Sequence, residues 1–261
     1  MIKVSDTQRK AIAHLFDGIW DSMVIAYLQG YQGDAWVNKM PDPEFGFIVS
    51  GEYSFFGGDA NNSEVLDVIG KLFDYIEGDE TTAIYAPDHL EWRDVLLKHQ
   101  PDKAKEVMRY WIVQKDYVFD RDKLKGFIND LPKDYELKFF DSDIYNQAMS
   151  EQWSSEFCET FQSEEDYLSK GFGVAATYNG KLVAGTSTMT VYDGGTEIQV
   201  ATHENFRRKG LALSTAAKFI LECQRRGIRP CWDAANTTSL HMAQKLGYEY
   251  NGEYSTVKIK R

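Results

Sequence analysis

The chain has 261 residues, a formal net charge of -11, 43% hydrophobic residues and 14% aromatic residues. Such a chain can bury enough apolar surface to offset its ordering entropy, which excludes a disordered protein and leaves room for one large core or two modest ones. The acidic excess would repel a phosphate backbone, so nucleic acid is not an expected partner, whereas a cationic substrate such as an amine suits it.

In chain order, the first pattern opens at Asp6 or Thr7, where Ile12, Leu15, Phe16 and Ile19 recur at helical spacing behind a plausible cap. Phe45 to Val49 and Tyr53 to Phe56 flank Ser50-Gly51-Glu52 and read as two strands around a tight turn. Ser63 then caps a helix carrying Val65, Leu66, Ile69 and Phe73. Residues 82–85 are strand-like, Asp88 opens a helix to about Lys98, and residues 107–114 are extended. The polar, proline-containing run Asn129-Asp130-Leu131-Pro132-Lys133-Asp134 breaks the pattern, which places a boundary between lobes 1–132 and 133–261.

Beyond it, residues 135–140 read as a strand, 144–160 as helical and 164–169 as a short helix. Strands follow at 173–178, 182–189 and 197–202, turned by Asn179-Gly180 and by Asp193-Gly194-Gly195. Leu213, Ala216, Ala217 and Ile220 then mark one face of a helix ending near Gly227, and residues 230–234 supply another strand. Residues 197–234 are thus expected as strand, helix, strand with the strands parallel. A last helix from Asn236 to Gly247 and an extended tail from Tyr248 complete a mixed α+β lobe.

No apolar run approaches the roughly 20 residues that span a bilayer, and the first six residues lack the apolar core of a secretion signal, so a cytoplasmic protein with no membrane partner is expected. Cys158, Cys223 and Cys231 are odd in number with no close pair, which favours reduced, packed thiols over a disulfide framework or zinc ribbon.

The most informative stretch runs from Val200-Ala201-Thr202 through His203-Glu204-Asn205-Phe206 to Arg207-Arg208-Lys209-Gly210-Leu211-Ala212. It ends a strand and opens a helix. There, backbone N–H groups lack intrahelical acceptors and the helix dipole is positive, so the turn can hold a pyrophosphate. Gly210 permits close backbone approach, Ala212 keeps the first turn small, and Arg207, Arg208 and Lys209 add positive charge. A basic loop before an ordinary helix is the plain alternative.

A second element, Asn236-Thr237-Thr238-Ser239 followed by Leu246-Gly247-Tyr248, shifts that balance. Arg207-x-x-Gly210-x-Ala212 resembles the acyl-CoA pyrophosphate loop of the GNAT superfamily, and Asn236 with Ser239 and Leu246-Gly247-Tyr248 resembles its later helix-plus-strand motif. The resemblance covers roughly residues 135–261. It implies a GNAT-like mixed sheet with flanking helices and acetyl-CoA as donor to an amine. It also implies that backbone groups of Val200, Ala201 and Thr202 line the pantetheine arm, while residues 207–212 wrap the pyrophosphate. Asn236 is then a pantetheine contact or simply an N-cap. Ser239 orders a water, or packs and caps.

An acyl transfer needs a neutral amine and a donor for the growing oxyanion, such as a backbone N–H. Glu197, near the start of the central strand, is the candidate base acting through water; its alternative is a surface carboxylate. The superfamily's familiar acid is a Tyr on the last helix, a position held here by Ala243. The leaving thiol can depart without full protonation, since a thiol pKa near 8.5 tolerates a thiolate.

His203-Glu204 begins like a zinc-protease motif, but Arg207 stands where its second His belongs, so no metal is expected. The first lobe repeats the hairpin, helix, strand order, and Gly57-Gly58 falls at its strand-to-helix junction without arginines and beside Asp59. A smaller α/β lobe, a degenerate GNAT-like half that shapes the acceptor site without binding CoA, is the expectation. The whole layout is similar to a bacterial GNAT subgroup that includes acetyltransferases conferring aminopolyol-antibiotic resistance, which implies a small-molecule amine acceptor. The rival readings are a CoA-binding regulatory or interaction protein without turnover, and a scaffold. The sequence does not choose between monomer and homodimer.

Overall fold

A computed structural model describes residues 1–261. The chain divides into two compact units, Met1–Arg109 with Glu253–Arg261, and Tyr110–Gly252. The expected boundary at residues 132/133 therefore falls inside the second unit.

The first unit opens with β1 (Ile2–Lys3), a 3-10 helix over Asp6–Phe16, and α1 (Ser22–Gln29). The Asp21 side chain caps α1 by accepting from the Met23 N–H, and Gly30, at φ 88°, ends it. Then come β2 (Asp34–Val37), β3 (Phe45–Ser50), β4 (Tyr53–Gly58), α2 (Val65–Gly70), β5 (Glu80–Ile84), α3 (Leu90–His99) and β6 (Ala104–Val113). The chain's last strand, β13 (Glu249–Lys260), pairs antiparallel with β5 from Val257↔Ala83 to Lys260↔Glu80. Strands β3 and β4 form the expected hairpin, and β4 runs parallel to β5 across α2. Phe45, Phe47, Phe56 and Trp92 dominate the core.

The second unit contains α4 (Arg121–Asn129), β7 (Tyr135–Phe139), α5 (Ser142–Met149), α6 (Gln152–Ser155), α7 (Glu164–Lys170), β8 (Gly173–Tyr178), β9 (Lys181–Tyr192) and β10 (Gly195–Thr202). It continues with α8 (Leu211–Arg226), β11 (Arg229–Cys231), β12 (Asp233–Ala234) and α9 (Thr237–Leu246). Its sheet has the order β11-β10-β9-β8-β7, with β10 and β11 parallel across the crossover helix α8. The fold is thus α+β, with mixed sheets and flanking helices.

The face of α8 explains much of this core. Ala216, Ala217, Phe219, Ile220 and Cys223 are fully buried, and the ring of Phe219 stacks on Phe172 at 4.4 Å. Burying Phe219 and Ile220 stabilises the unit by about 1.5–3 kcal/mol each. Helix α4 joins this core through Leu124, Phe127 and Ile128, and the Ser214 hydroxyl of α8 donates to the Phe127 carbonyl at 2.7 Å. That packing is why the division falls before α4 and not at the polar break after it. Two expected elements are also split. The helix over 144–160 is two helices, α5 and α6, followed by turns, and the strand over 230–234 is β11 and β12 parted by Trp232.

Candidate active site

Strand β10 is paired with β9 along its whole length, from Gly195↔Tyr192 to Thr202↔Ala184, with a register shift between Glu197 and Ile198. Its parallel pairing with β11 covers only Gly195, Thr196 and Glu197, against Arg229, Pro230 and Cys231. Past the bulge the two strands part. The peptide groups of residues 198–202 that turn toward β11 face a wedge and not a ladder, and such a wedge can take a ligand's amides as an extra strand would.

Glu197 stands at the apex of this wedge. It is 7% exposed, and its Oε1 accepts from the Asp233 N–H at 2.9 Å, which ties β10 to the start of β12. The alternative of a surface carboxylate is therefore corrected: the carboxylate lies in the interior and is held there by a backbone donor. Cys231, its cross-strand partner, lies 3.0 Å from the Tyr192 hydroxyl and 3.6 Å from the Tyr117 hydroxyl. Burial first, and then the thiol, push both phenols above the usual tyrosine range, so they remain protonated. Neither tyrosine was visible as a site residue in the sequence, because both meet Cys231 only through the sheet register and the loop after β6.

At the open end of the wedge, Glu204–Phe206 makes a 3-10 turn and the His203 Nδ1 accepts from the Asn205 N–H at 3.3 Å. The Arg207 Nε donates to the Thr202 carbonyl at 3.2 Å, folding the loop back on the strand end. Arg208 and Gly210 have φ of 63° and 81°. Gly210 is the N-cap of α8 and no side chain caps the helix there. The N–H groups of Leu211, Ala212 and Leu213 thus lack intrahelical acceptors at the positive end of the dipole. A Cβ built on Gly210 would meet nothing within 4 Å. Leu211 is 1% exposed, backbone and side chain together, and anchors the helix start, so the open face of the turn is carried by Gly210 and Ala212. Lys209 donates to the Tyr135 hydroxyl at 3.1 Å and sits 5.1 Å from the Phe206 ring. The arrangement is a cradle of outward N–H groups with Arg207, Arg208 and Lys209 at its rim. It fits a pyrophosphate.

The second motif serves the frame. Asn236 Oδ1 accepts from the Ser239 N–H at 3.0 Å, which makes Asn236 the N-cap of α9. Gly247 ends that helix at φ 112°, and the buried Tyr248 hydroxyl donates to the Pro230 carbonyl at 2.7 Å, fixing β11. Ala243 is fully buried in the core with Leu240 and Leu246, so the site has no acid from that helix position.

The strand end at Gly57-Gly58 in the first unit is closed. Gly58 has φ 84°, like Gly210, but a Cβ on it would stand 2.2 Å from the Glu44 carbonyl, and one on Gly57 would stand 2.2 Å from the Leu15 carbonyl. The Trp92 indole N–H donates to the Gly58 carbonyl at 3.1 Å. These glycines admit the chain's own backbone.

The site is thus a central strand parting from its parallel neighbour, with a glycine-capped basic turn beyond it. A family model described as GNAT acetyltransferase matches residues 13–257. The chain belongs to that acetyltransferase family. It is 27% identical over 232 residues to the uncharacterized N-acetyltransferase YdfB of Bacillus subtilis, covering 87% of this chain and 85% of that one. It is also 27% identical over 122 residues to the Escherichia coli [ribosomal protein bS18]-alanine N-acetyltransferase, covering 46% of this chain and 74% of the relative. Among solved structures, a GCN5-related N-acetyltransferase-like protein from Streptococcus suis superposes with a TM-score of 0.85 at 29% identity, over 97% of this chain and 99% of the other. A tandem GNAT protein from the clavulanic acid biosynthesis pathway shares the fold at a TM-score of 0.56 and 10% identity, covering 99% of this chain and 98% of that chain. No helix is long and apolar enough to cross a membrane.

Proposed function

We propose that this chain transfers an acetyl group from acetyl-CoA to a primary amine of a small molecule. The observation that supports the reading is the open turn at Gly210: this left-handed glycine caps α8 with nothing within 4 Å of a Cβ built on it, whereas left-handed Gly58, the last residue of β4, stands against the Glu44 carbonyl. Only the second unit keeps a cradle for a diphosphate.

In this reading Val200, Ala201 and Thr202 offer backbone groups to the pantetheine arm, and the N–H groups at Gly210 and Ala212 hold the pyrophosphate with charge from Arg207, Arg208 and Lys209, while buried Leu211 anchors the turn beneath it. Asn236 and Ser239 act by capping α9, the helix that leads to Tyr248 and its bond to β11. When bound, acetyl-CoA supplies an acyl group activated as a thioester. Backbone N–H groups of β10 beyond the bulge stabilise the developing oxyanion, at no reorganisation cost because the sheet holds them. Glu197 is the proton acceptor for the amine, reached through water, because register places its carboxylate at the apex where the arm must end.

The layout of two lobes, with the donor motif in the second, supports extending the acceptor class to amines of the aminopolyol type. The bS18 relative's name records a protein amine, and that class is the contrast in an acceptor screen. The buried Ala243, in place of an acid, favours a second reading, a CoA-binding protein without turnover. Calorimetric titration of the full chain with acetyl-CoA, followed by thiol release with aminopolyols, simple diamines and an alanine-terminated peptide, tests these readings. Amine-dependent release establishes the enzyme; binding without release under every amine leaves the second reading; no binding refutes the donor site.

A further inference from the structure

The face of the second unit that carries Glu197 extends sideways to an exposed tryptophan. On β10, Ile198 and Val200 pack into the α8 core, so Glu197 and Gln199 alternate onto the opposite face. On β11 and β12, Trp232 and Ala234 enter the same core, which turns Cys231 and Asp233 outward with Glu197. On β6, Ile112 is buried there and Tyr110 packs against it, so Trp111 turns outward too. Trp111 and Asp233 are register partners of the β6–β12 ladder, and the Asp233 N–H donates to Glu197 Oε1 at 2.9 Å. All of these residues belong to the second unit.

We infer that Trp111 and Asp233 recognise a second ammonium group on the acceptor, which makes the substrate a small molecule with more than one amino group. The inference rests on the proposed transfer at Glu197 and narrows its acceptor class.

Chemistry makes the first argument. Trp111 is 41% exposed. Trp36, Trp92, Trp153 and Trp232 each pack against another ring, whereas Trp111 stacks on none. An open indole beside a carboxylate suits an ammonium, because the ring face attracts the cation and the carboxylate accepts its N–H bonds. Half-buried Glu156, which accepts from Gln199 Nε2, adds negative charge on the other flank of Glu197. Alkyl amines have a pKa near that of Lys, about 10.4, and stay charged at neutral pH. An acceptor with two of them can lose a proton from one to Glu197 while the other holds the molecule in place.

Spacing makes the second. Neighbouring strands lie about 4.8 Å apart, so Asp233 is about one spacing from Glu197 and Trp111 about two. The two nitrogens of a fitting acceptor are therefore roughly 5–10 Å apart, within reach of cadaverine and beyond that of ethylenediamine.

The test measures thiol release from acetyl-CoA by the full-length protein with cadaverine, with pentylamine, which has the same skeleton and one amine, and with ethylenediamine. Wild type should show kcat/KM about tenfold higher for cadaverine than for either of the others. Trp111→Ala and Asp233→Asn should remove that preference by raising KM for cadaverine, with kcat, the pentylamine kinetics and the calorimetric affinity for acetyl-CoA unchanged. Asp233→Asn keeps the backbone N–H that holds Glu197. Trp111→Phe should retain part of the preference, because the ring face remains. A wild type without preference for cadaverine, or variants that slow cadaverine and pentylamine alike, would overturn the recognition face and leave the transferase reading intact. Wild-type protein that binds acetyl-CoA and releases thiol with no amine would overturn both.

Discussion

Replacing Gly210 with Ala separates a ligand effect from a folding effect. With φ at 81°, an L-residue there incurs left-handed strain of about 1–2 kcal/mol, and with nothing within 4 Å of the new Cβ no clash adds to it. The protein should therefore lose about 1 kcal/mol of unfolding free energy and stay folded. Donor binding should suffer more, because relaxing the strain turns the cradle's N–H groups away from the diphosphate. Losing one or two charge-assisted hydrogen bonds, at roughly 1.5–3 kcal/mol each, lowers affinity for acetyl-CoA by at least tenfold. Gly58→Ala supplies the control. It adds the same strain to a Cβ standing 2.2 Å from the Glu44 carbonyl, so overpacking contributes about 1–3 kcal/mol more. Denaturant unfolding and calorimetry on both variants read the two effects. Gly210→Ala with unchanged affinity, or Gly58→Ala weakening the donor while stability holds, would refute the assignment of the open loop.

Glu197→Gln should lower the rate at neutral pH by about a hundredfold with acetyl-CoA affinity unchanged, and an unaltered pH–rate profile would reduce Glu197 to a tie on the Asp233 N–H. Asn236→Ala should reduce stability by about 1 kcal/mol through loss of the α9 cap, with donor affinity within twofold of wild type; a larger affinity loss would return Asn236 to the pantetheine contact. Glu222 lies 2.6 Å from Arg225 and 2.8 Å from Arg226, and hydrogen bonding to Arg225 first, then to Arg226, pulls its carboxyl down to about 2. A depressed folded pKa stabilises above the unfolded value and is lost as pH falls through the folded one. Because Arg225 is 69% exposed, solvent screening keeps the pair's contribution small. The stability difference between wild type and Glu222→Gln should persist from neutral pH to about pH 5 and vanish toward pH 2, and a difference independent of pH would contradict the pairing.

Much of the second unit was legible because its signals are local. Asn179-Gly180 turns β8 into β9 at φ of 50° and 77°, and the helical stripe of α8 is regular. What escaped reading was set by partners distant in sequence. Helix α1 buries Met23, Val24, Ala26 and Tyr27 in a nearly unbroken run, which hides its period, and α4 shows mainly Arg121, Asp122, Lys123 and Lys125 around one fully buried Leu124. Strand β13 carries its Val257 and Ile259 back to β5 of the first unit, a pairing that no composition break near residue 130 announces. In the site, the loop residues 207–212 were readable as a motif. The burial of Glu197, and the hydrogen bonds of Tyr117 and Tyr192 to Cys231, depend on sheet register and on a loop more than a hundred residues away in sequence from Cys231.

The two units also show why a shared plan does not imply a shared activity. Each has an antiparallel hairpin feeding a parallel neighbour across a helix, and each carries a left-handed glycine on the way from strand to helix, Gly58 as the last residue of β4 and Gly210 as the cap of α8. In the first unit the strand ends in Phe56-Gly57-Gly58, and backbone from Leu15 and Glu44 closes on both glycines. In the second it ends in polar, half-exposed Thr202 and His203, and three cations precede the glycine. Opening the first turn would require removing backbone packing, and several substitutions would have to act together before a diphosphate fitted. Filling the second needs one side chain. Sensitivity to single substitutions should therefore be concentrated at Gly210 for donor binding and at Gly57 and Gly58 for stability, an asymmetry that a scan of both turns for folding and for acetyl-CoA affinity would expose directly.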